Sequence, residues 1–492
     1  MPKQDLYSVL VGSNDKSTVS EIPTNHLRVG LSSHSSLLSH LLRTLSNRTL
    51  PPPLPPTQIL TLLSLLTSLD TQNHPLNIGC GEREARLASS ILKVRGGLIH
   101  GIGRSGDVNE MQPKAAGSSV ICVVVKIGVK DILQNSLNFD FLKKSTVTVL
   151  PTCTGLTLLL CLLTLKKSSK KSSNKVLWCR IDQKSCVKSI QSGGFELIIV
   201  PTLKIGDAVT TDIDALKALL DTHGDDVLCC ITTTSCFAPR IPDDIISISK
   251  ILKSKNVGHI INNAYGLQSS HVNSMMVGAV NKGRVDYVVS SLDKNFCVPV
   301  GGAIVFGPDK TKVKELGKMY PGRANGRVVE DMFISLLEVG REGYEELWEY
   351  RRNLIPKFIK TFENVATENG ERMLKTEGND ISFGMTLSNF TNEECGDIGS
   401  MLFTRALSGC RVVPTGVQKN IGGSEFEGFG SSTDDYGVGY LTAACAVGMK
   451  EREVEEFGKR LDGVLKEVVK KREKKKKKEM ERKKKEMKEI AI

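Results

Sequence analysis

Residues Ser290–Gly302 read SSLDKNFCVPVGG, with VDYVV directly before them and AIVFG directly after them. Both flanking stretches have the apolar, β-branched composition of buried strands. Pro299 and the glycine pair after it indicate that the chain turns between the two strands. Lys294 therefore lies at the end of a strand, where we expect burial to desolvate its amine. A desolvated lysine is the amine that forms Schiff bases with carbonyl compounds and with pyridoxal phosphate.

Taken alone, Lys294 is better explained as a surface-loop or snorkelling lysine. Thirty-two residues before it, the strand-like sequence HIINNAYG ends in Asn262 and Asn263. A pyridoxal phosphate site needs a polar group for the pyridine nitrogen, whereas an aldolase-type lysine does not. The site also needs an anion cradle. Thr154 and Gly155 provide one, because they follow the strand STVTVLPT and begin a helical stretch whose first N–H groups are free.

Strand and helix patterns alternate over some 150 residues. KVLWC, ELIIVP, DVLCCITTT and GHIIN are typical of strands, and IDALKALLDTHG and DDIISISKILKSK are typical of helices. This alternation predicts an α/β fold with a largely parallel sheet and right-handed crossovers. One stretch is ambiguous: VICVVVKIGV, residues Val120–Val129, reads as a strand by propensity.

Gly101–Gly106 fits the dinucleotide-binding pattern G-x-G-x-x-G. That fold requires a helix to begin at the third glycine, and Asp107 and Pro113 follow instead. The same segment carries four phosphate-type donors within eleven residues, which are Arg104, Ser105, Gln112 and Lys114. They suit a second phosphate, separate from that of the cofactor, although a solvated basic loop has the same composition.

Eight motifs together resemble the O-phosphoseryl-tRNA(Sec) selenium transferase family, in the family's order, from about Asn77 to about Lys471. They are NNAYG, GIGRSGD, QPKAAGSS, RIDQKSC, TTSCFAPR, SLDKNF-VPVGGA, KMYPGRA and GSMLFTR. The resemblance implies a fold-type-I pyridoxal phosphate transferase, with a mostly parallel seven-stranded-type sheet, helices on both faces and a small C-terminal α+β domain. It also implies a helix, not a strand, at Val120–Val129.

The family's reaction converts O-phosphoseryl-tRNA(Sec) to selenocysteinyl-tRNA(Sec) with selenophosphate, through an aldimine of pyridoxal 5'-phosphate and a dehydroalanyl-tRNA. The resemblance further implies a homotetramer and a cytoplasmic location. The most basic part of the chain is its end, where residues 466–489 hold a net +8 of the chain's +12. That charge favours an acidic partner such as tRNA.

The resemblance also implies a role for individual residues. Lys294 holds the cofactor and moves the substrate α-proton, and Glu82 repels free amino acids by their α-carboxylate. Contacts to the cofactor come from Arg83, Thr154, Gly155, Gln183 and Asn262. The leaving phosphate is held by Arg104, Ser105, Gln112, Lys114 and Arg323. Contacts to tRNA come from Arg405 and Lys470, and from Lys282, which stands next to Asn281 where the family has a basic residue.

We predict four regions. They are an N-terminal helical and oligomerisation segment with a Pro-rich linker (1–76), a large cofactor-binding domain with the phosphate loop (77–330), linker helices with a small domain (331–470) and a Lys-rich tail (471–492). PPPLPP in the first region is a spacer or an SH3-type ligand. The thirteen cysteines lack metal-ligand spacing and read as reduced thiols, Cys297 as a packing residue. We expect neither a secretory leader nor a membrane partner.

Three alternatives remain open at this stage. A cysteine desulfurase on the same fold needs a nucleophilic cysteine on a mobile loop, and Cys297 has no obvious one. A decarboxylase handles a free amino acid, which Glu82 disfavours. A catalytically degenerate tRNA-binding protein would not need the intact set of Lys294, Arg104, Gln112, Lys114 and Arg323.

Overall fold

The computed structural model describes residues 24–490 except 83, 85, 95, 96 and 170–172. These residues form two compact units. The first unit comprises the described residues up to Ile132 together with Gly322–Glu342, and the second comprises Leu133–Pro321 together with the described residues from Gly343 onward. The four regions that the sequence suggests remain a prediction.

The first unit is helical. Its helices are α1 (Thr24–Asn47), α2 (Pro56–Thr67), α3 (Ser90–Val94), α4 (Ala116–Asp131) and the first part of α12 (Arg327–Glu368). The proline-rich segment is anchored, because Leu54 is 7 % exposed and its N–H donates to the carbonyl of Leu337 at 2.8 Å. Helix α12 is interrupted at Gly340, where φ is 68°, and a Cβ at this position would lie 2.8 Å from Pro53.

Helix α4 contains the stretch that reads as a strand by propensity. The helix prediction from the family is confirmed, and the propensity is overridden by packing: Ile121, Val124, Val125 and Val129 are all at most 2 % exposed. The N-terminus of α4 is capped by a side chain that is distant in the sequence. Asp70 accepts hydrogen bonds from the N–H groups of Gly117 at 2.8 Å and of Ser118 at 3.3 Å.

A seven-stranded sheet is the centre of the second unit, in the order β1-β9-β8-β7-β6-β2-β3. Strands β8, β7, β6, β2 and β3 run parallel, while β9 is antiparallel to both β8 and β1. The mostly parallel sheet is therefore confirmed. Its strands are β1 (Val147–Leu150), β2 (Lys175–Cys179), β3 (Glu196–Val200), β6 (Val227–Thr233), β7 (Gly258–Asn262), β8 (Tyr287–Ser291) and β9 (Ala303–Phe306).

Burial explains the sequence of these strands. Every residue of β6, β7 and β8 is buried, because helices cover both faces of a parallel sheet, and continuous apolar runs result. The helices of this layer are α5 (Thr154–Ser168), α6 (Lys184–Gln191), α7 (Ile213–His223), α8 (Ile245–Ser254), α9 (Ser270–Lys282), α10 (Leu292–Phe296) and α11 (Lys310–Gly317). Strands β4 (Thr202–Ile205) and β5 (Ala208–Thr211) follow β3 in the chain and form a separate antiparallel hairpin.

A second, three-stranded antiparallel sheet has the order β10-β14-β11, with β10 at Ser382–Thr386, β11 at Arg411–Val413 and β14 at Tyr440–Ala444. The hairpin β12–β13 (Lys419–Ile421, Ser424–Phe426) precedes β14. The three-stranded sheet, this hairpin and helices α13 (Asn392–Thr404) and α14 (Glu451–Ile490) form the small α+β layer. In its core, the ring of Phe358 stacks on that of Phe457, with centroids 5.0 Å apart.

None of the helices in the described residues combines the length and apolar character needed to cross a lipid bilayer.

Candidate active site

Four of the predicted cofactor residues lie at one edge of the large sheet. Asn262 ends β7, and Thr154, Gln183 and Lys294 follow β1, β2 and β8. Strands β1 and β8 are both antiparallel to β9 and hence parallel to one another, so all four strands end at the same edge. In open α/β sheets, ligands bind outside this carboxyl edge.

Lys294 lies in the short helix α10, directly after β8. Its Nζ donates to Ser291 Oγ at 3.1 Å and to Asp293 Oδ2 at 3.2 Å, and its side chain is 43 % exposed. The expectation that burial desolvates this lysine is therefore wrong. Leu292, Asn295 and Phe296 occupy the buried positions of α10, which leaves Lys294 on its open side.

The start of helix α5 carries the proposed cradle for the cofactor phosphate. No side chain caps this helix, whose preceding residue is Cys153, so its first N–H groups are open to an anion. Thr154 Oγ1 lies 2.6 Å from Ser291 Oγ, which connects the cradle to the lysine. Gly155 approaches the RIDQKSC segment closely, since a Cβ at this position would lie 3.2 Å from Ser185 Cβ.

Asn262 is 7 % exposed, and its Nδ2 donates to Cys186 Sγ at 3.4 Å. Its Oδ1 has no partner in the part of the chain that the structure describes. A buried carbonyl oxygen without a hydrogen bond costs about 1–3 kcal/mol, so a ligand that donates to it is favoured. A pyridine nitrogen that carries a proton is such a donor.

These residues fit pyridoxal phosphate. They supply an amine at Lys294, a free helix start at Thr154 and Gly155, and an unpaired acceptor at Asn262. Gln183 is exposed and directly precedes α6, on the side where Ser185 approaches Gly155. Arg83 lies outside the described residues, and Glu82 beside it is exposed.

The structure adds two residues that the sequence reasoning did not assign. Ser291 joins Lys294 to Thr154, and its only sequence signal is its position three residues before the lysine. Tyr265, within NNAYG, has a buried hydroxyl with no partner among the described residues, and its ring lies 5.6 Å from that of Phe237. Burial raises the pKa of the Tyr265 hydroxyl well above its ordinary value, which keeps it a neutral donor.

A buried ion pair fixes the segment that carries Gln183. Arg180 Nε donates to Asp182 Oδ1 at 3.0 Å, and both side chains are at most 6 % exposed. Asp182 Oδ2 also accepts from the N–H groups of Gly430 and Ser432, each at 2.7 Å. These three charge-assisted bonds hold the loop after β2 in one position.

The five predicted phosphate residues Arg104, Ser105, Gln112, Lys114 and Arg323, called the phosphate set below, all belong to the first unit. A two-residue antiparallel bridge brings two of them together: Ile102 and Ala324 exchange N–H···O bonds of 2.9 Å each. This bridge places Arg104 and Arg323 on adjoining chain segments. Gly101 is required for it, because φ is 71° and a Cβ would lie 2.3 Å from the Ala324 carbonyl oxygen.

The glycine motif forms a tight turn, in which Arg104 and Asp107 exchange backbone hydrogen bonds of 2.9 Å. The next helix begins only at Ala116, so the exclusion of a dinucleotide fold is confirmed. Ser105 sits in the turn with φ of 25°, and its side chain is exposed.

Two cations of the phosphate set are paired with carboxylates. Arg104 lies 3.4 Å from Glu110, with both side chains about half exposed, and Lys114 donates to Glu84. The hydrogen bond from Lys114 lowers the pKa of the Glu84 carboxyl below its ordinary value. The Arg104–Glu110 pair is exposed and contributes little to stability, so an arriving phosphate can replace Glu110. Glu84 is only 11 % exposed, and a phosphate would have to compete with it for Lys114. Sequence reasoning missed Glu84.

Two of the predicted tRNA residues are neighbours in the structure. Arg405 follows α13 and is ion-paired with Glu467 on α14, three residues before the exposed Lys470. Arg460 on α14 donates to the carbonyl of Arg405 at 3.2 Å. Lys282 is exposed at the end of α9. The Lys-rich tail continues α14, and its side chains are exposed from Glu473 to Met487.

The arrangement defines a class of protein, the fold-type-I pyridoxal phosphate enzymes. A sphingosine-1-phosphate lyase from Burkholderia pseudomallei shares this fold, with a TM-score of 0.55 at 12 % identity over 96 % of this chain and 98 % of that one. Residues 69–466 match the family model described as O-phosphoseryl-tRNA(Sec) selenium transferase. The chain belongs to that family and is an enzyme of the pyridoxal phosphate-dependent selenium transferase type.

Individual relatives agree with this assignment. The O-phosphoseryl-tRNA(Sec) selenium transferase of Dictyostelium discoideum is 43 % identical over 420 residues, which cover 81 % of this chain and 88 % of the relative. The crystal structure of an archaeal O-phosphoseryl-tRNA(Sec) selenium transferase matches with a TM-score of 0.80 at 28 % identity, covering 91 % of this chain and 99 % of that one.

Proposed function

We propose that the chain converts O-phosphoseryl-tRNA(Sec) to selenocysteinyl-tRNA(Sec), with selenophosphate as the selenium donor. The observation that carries the proposal is the connected group at the sheet edge: Lys294, Ser291 and Thr154 share hydrogen bonds, and Asn262 presents an unpaired acceptor. The family match supports the choice of substrate.

Pyridoxal phosphate, when bound, supplies an electron sink that lowers the cost of removing a proton from the substrate Cα. Lys294 would hold the cofactor through Nζ, with the α5 start at Thr154 and Gly155 on the phosphate and Asn262 on the ring nitrogen. Gln183 would complete these contacts, together with Arg83, which lies outside the described residues and is included on the family resemblance alone. The same Nζ, positioned by Ser291 and Asp293, would take the Cα proton.

The phosphate set would hold the leaving phosphate as it departs from Cβ. A phosphate dianion requires several charge-assisted donors, and the set offers three cations, a hydroxyl and an amide. Arg323 is half-buried and has no hydrogen bond or ion pair within the described residues, so its guanidinium is available. Glu82 would act as a filter that repels a free α-carboxylate.

The macromolecular partner in this proposal is tRNA(Sec). Arg405, Lys470 and Lys282 would contact its phosphates, and the tail helix would add attraction without choosing the tRNA. We further propose a homotetramer acting in the cytoplasm, where a tRNA-linked substrate is made and used. Light scattering of the purified protein tests the tetramer.

One assay tests the proposed reaction. Purified protein is loaded with pyridoxal phosphate and given phosphoseryl-tRNA(Sec) and selenophosphate. We expect two inorganic phosphates for each selenocysteinyl-tRNA, one from the seryl group and one from the selenophosphate after water cleaves its P–Se bond, and no product with Lys294→Ala. Product formation that does not depend on the cofactor, or an absence of product with loaded wild-type protein, would refute the proposal.

A further inference from the structure

One buried histidine in the first unit has no role in the proposed function. His100 directly precedes Gly101 and the glycine turn, and it is 3 % exposed. Neither of its ring nitrogens has a hydrogen-bond partner among the residues that the structure describes. Buried polar groups are nearly always hydrogen-bonded, and a histidine with two unpaired nitrogens is a clear exception.

A second buried histidine, His259, shows the usual arrangement. His259 has its Nε2 at 2.8 Å from Thr232 Oγ1 and its Nδ1 at 2.8 Å from the Arg284 carbonyl oxygen. Both nitrogens are satisfied within the protein. His100 therefore differs from a structural core histidine, because neither ring nitrogen is hydrogen-bonded within the described residues and both can bind a ligand.

The surroundings of His100 point to an anion. The charged groups that act on it are Arg323 and Lys114, both in the phosphate set, and the carboxylates of Asp70 and Glu84. The backbone of both cations is fixed by the fold: the Ile102–Ala324 bridge lies directly after Arg323, and the N–H of Thr71 donates to the Lys114 carbonyl at 2.9 Å.

Both carboxylates have other partners. Asp70 accepts from Ser118 Oγ at 2.9 Å and caps α4, while Glu84 accepts from Lys114. Neither bonds to His100. The imidazole thus keeps an unused N–H among the described residues, and the positive charges of Arg323 and Lys114 both act on it. A phosphate bound by these two cations would offer that N–H an acceptor.

We propose that His100 is an additional ligand of the phosphate monoester, with an imidazole N–H that donates to a phosphate oxygen. The proposal rests on the proposed function of the phosphate set and extends it by one residue that the sequence did not single out. Gly101 contributes to this anion site, because it allows the chain to turn from His100 directly into the bridge with Ala324.

The proposal has a proton-linked consequence. Burial lowers the pKa of His100, and the positive charge of Arg323 lowers it further, against the opposing effect of Asp70 and Glu84. A dianion beside the ring favours the imidazolium and raises the pKa of the ring again. Anion binding should therefore strengthen as the pH falls, through a proton that His100 takes up.

Sulfate is the probe for this test, because its charge stays constant around neutral pH whereas that of phosphate does not. Inhibition of selenocysteinyl-tRNA formation by sulfate is measured for wild-type holoenzyme, His100→Gln and His259→Gln at about pH 6 and about pH 8. We expect His100→Gln to weaken sulfate inhibition and raise the KM for phosphoseryl-tRNA, each about tenfold near pH 6, with a smaller effect near pH 8. His259→Gln should lower stability and leave both values unchanged.

A second variant, His100→Asn, repeats the test with a smaller amide, and thermal unfolding of each protein verifies that it is folded. An unchanged inhibition constant and KM in a folded His100 variant would overturn the proposal, as would an equal loss at both pH values. Wild-type protein that accepts seryl-tRNA as readily as phosphoseryl-tRNA would refute the phosphate set itself. That result is distinct from a failure of His100 alone.

Discussion

Thr154 and Ser291 are 137 residues apart in the chain, yet their hydroxyl oxygens lie 2.6 Å apart. Ser291 also accepts a hydrogen bond from Lys294 at 3.1 Å. One hydroxyl thus couples the start of helix α5, which we assign to the cofactor phosphate, to the amine that we assign to its aldehyde. Ser291 is a positioning residue in this account, since it acts through Lys294 and Thr154.

Replacing this serine should weaken cofactor binding. Ser291→Ala removes the shared hydroxyl and leaves Lys294 held by Asp293 alone, so we expect about a tenfold rise in the dissociation constant of pyridoxal phosphate. The measurement is an absorbance titration of cofactor-free protein. Ser291→Thr restores the hydroxyl and should recover most of the affinity.

Ser290→Ala is the matched control, because Ser290 lies in the same strand and its hydroxyl accepts from Asn263 at 3.2 Å instead. The same titration should give nearly the wild-type constant. Equal losses in the two alanine variants would mean that any polar deletion in β8 disturbs the sheet edge, and the specific role of Ser291 would be lost.

Asn262 offers a prediction about stability. Asn262→Asp places a carboxylate at a position that is 7 % exposed and removes the Nδ2 donor that bonds to Cys186 Sγ. We expect the cofactor-free variant to unfold several degrees below wild type, because an unpaired buried charge is costly. Pyridoxal phosphate should raise its melting temperature more than that of wild type, since a protonated ring nitrogen pairs with the carboxylate. Equal shifts in the two proteins would place the ring nitrogen elsewhere.

His259 predicts how stability depends on pH. Burial lowers the pKa of its imidazole from 6.5 to about 4, so the unfolded state binds a proton that the folded state does not. Stability is therefore retained above pH 6.5 and is lost as the pH falls towards 4. At pH 5 the loss amounts to about 2 kcal/mol, measured as a shift of the urea midpoint. His259→Gln should flatten this dependence, and His271→Gln, at an exposed position, should not.

The tRNA surface separates into two contributions. Deleting residues 474–492 removes the Lys-rich end of the chain, whose side chains are exposed as far as Met487, so affinity for all tRNAs should fall similarly and its salt dependence should become shallower. Arg405→Ala should cost more for tRNA(Sec) than for other tRNAs. Filter binding at several salt concentrations measures both effects.

Arg472→Ala is the control for Arg405, because Arg472 also lies in this region and is paired, at 2.7 Å from Glu394. It should affect stability more than tRNA selection. Loss of discrimination in the tail deletion, combined with intact discrimination in Arg405→Ala, would show that the two roles are reversed.

Much of the fold follows from local sequence. The strands β2, β6, β7 and β8 are apolar runs between turn residues, and their order along the chain predicts a parallel sheet. Helix α4 shows the limit of such reasoning. Its valines favour a strand, and only their packing against the rest of the first unit, together with the cap from Asp70, makes the segment helical.

The sequence predicts only part of the candidate site, because the rest depends on contacts between residues that are distant in the chain. Residue types and motif order identify Lys294 and Asn262, but the exposure of Lys294 depends on which face of a five-residue helix is buried. The role of Ser291 depends on its contact with the hydroxyl of Thr154, which follows β1 and is distant in the sequence. The pairing of Lys114 with Glu84 likewise joins residues 30 positions apart. Long-range contacts of this kind leave no periodic signal in the sequence.

The central claim is that a phosphate on the seryl group is the group exchanged for selenium. The most direct test compares phosphoseryl-tRNA(Sec) with seryl-tRNA(Sec) in single-turnover reactions of wild type, Arg323→Ala and Arg327→Ala. Arg327 is the control because it is paired with Glu330 at 3.0 Å. We predict product only from phosphoseryl-tRNA, about a hundredfold loss in Arg323→Ala and little change in Arg327→Ala. Equal turnover of the two tRNAs by wild-type protein would contradict the account.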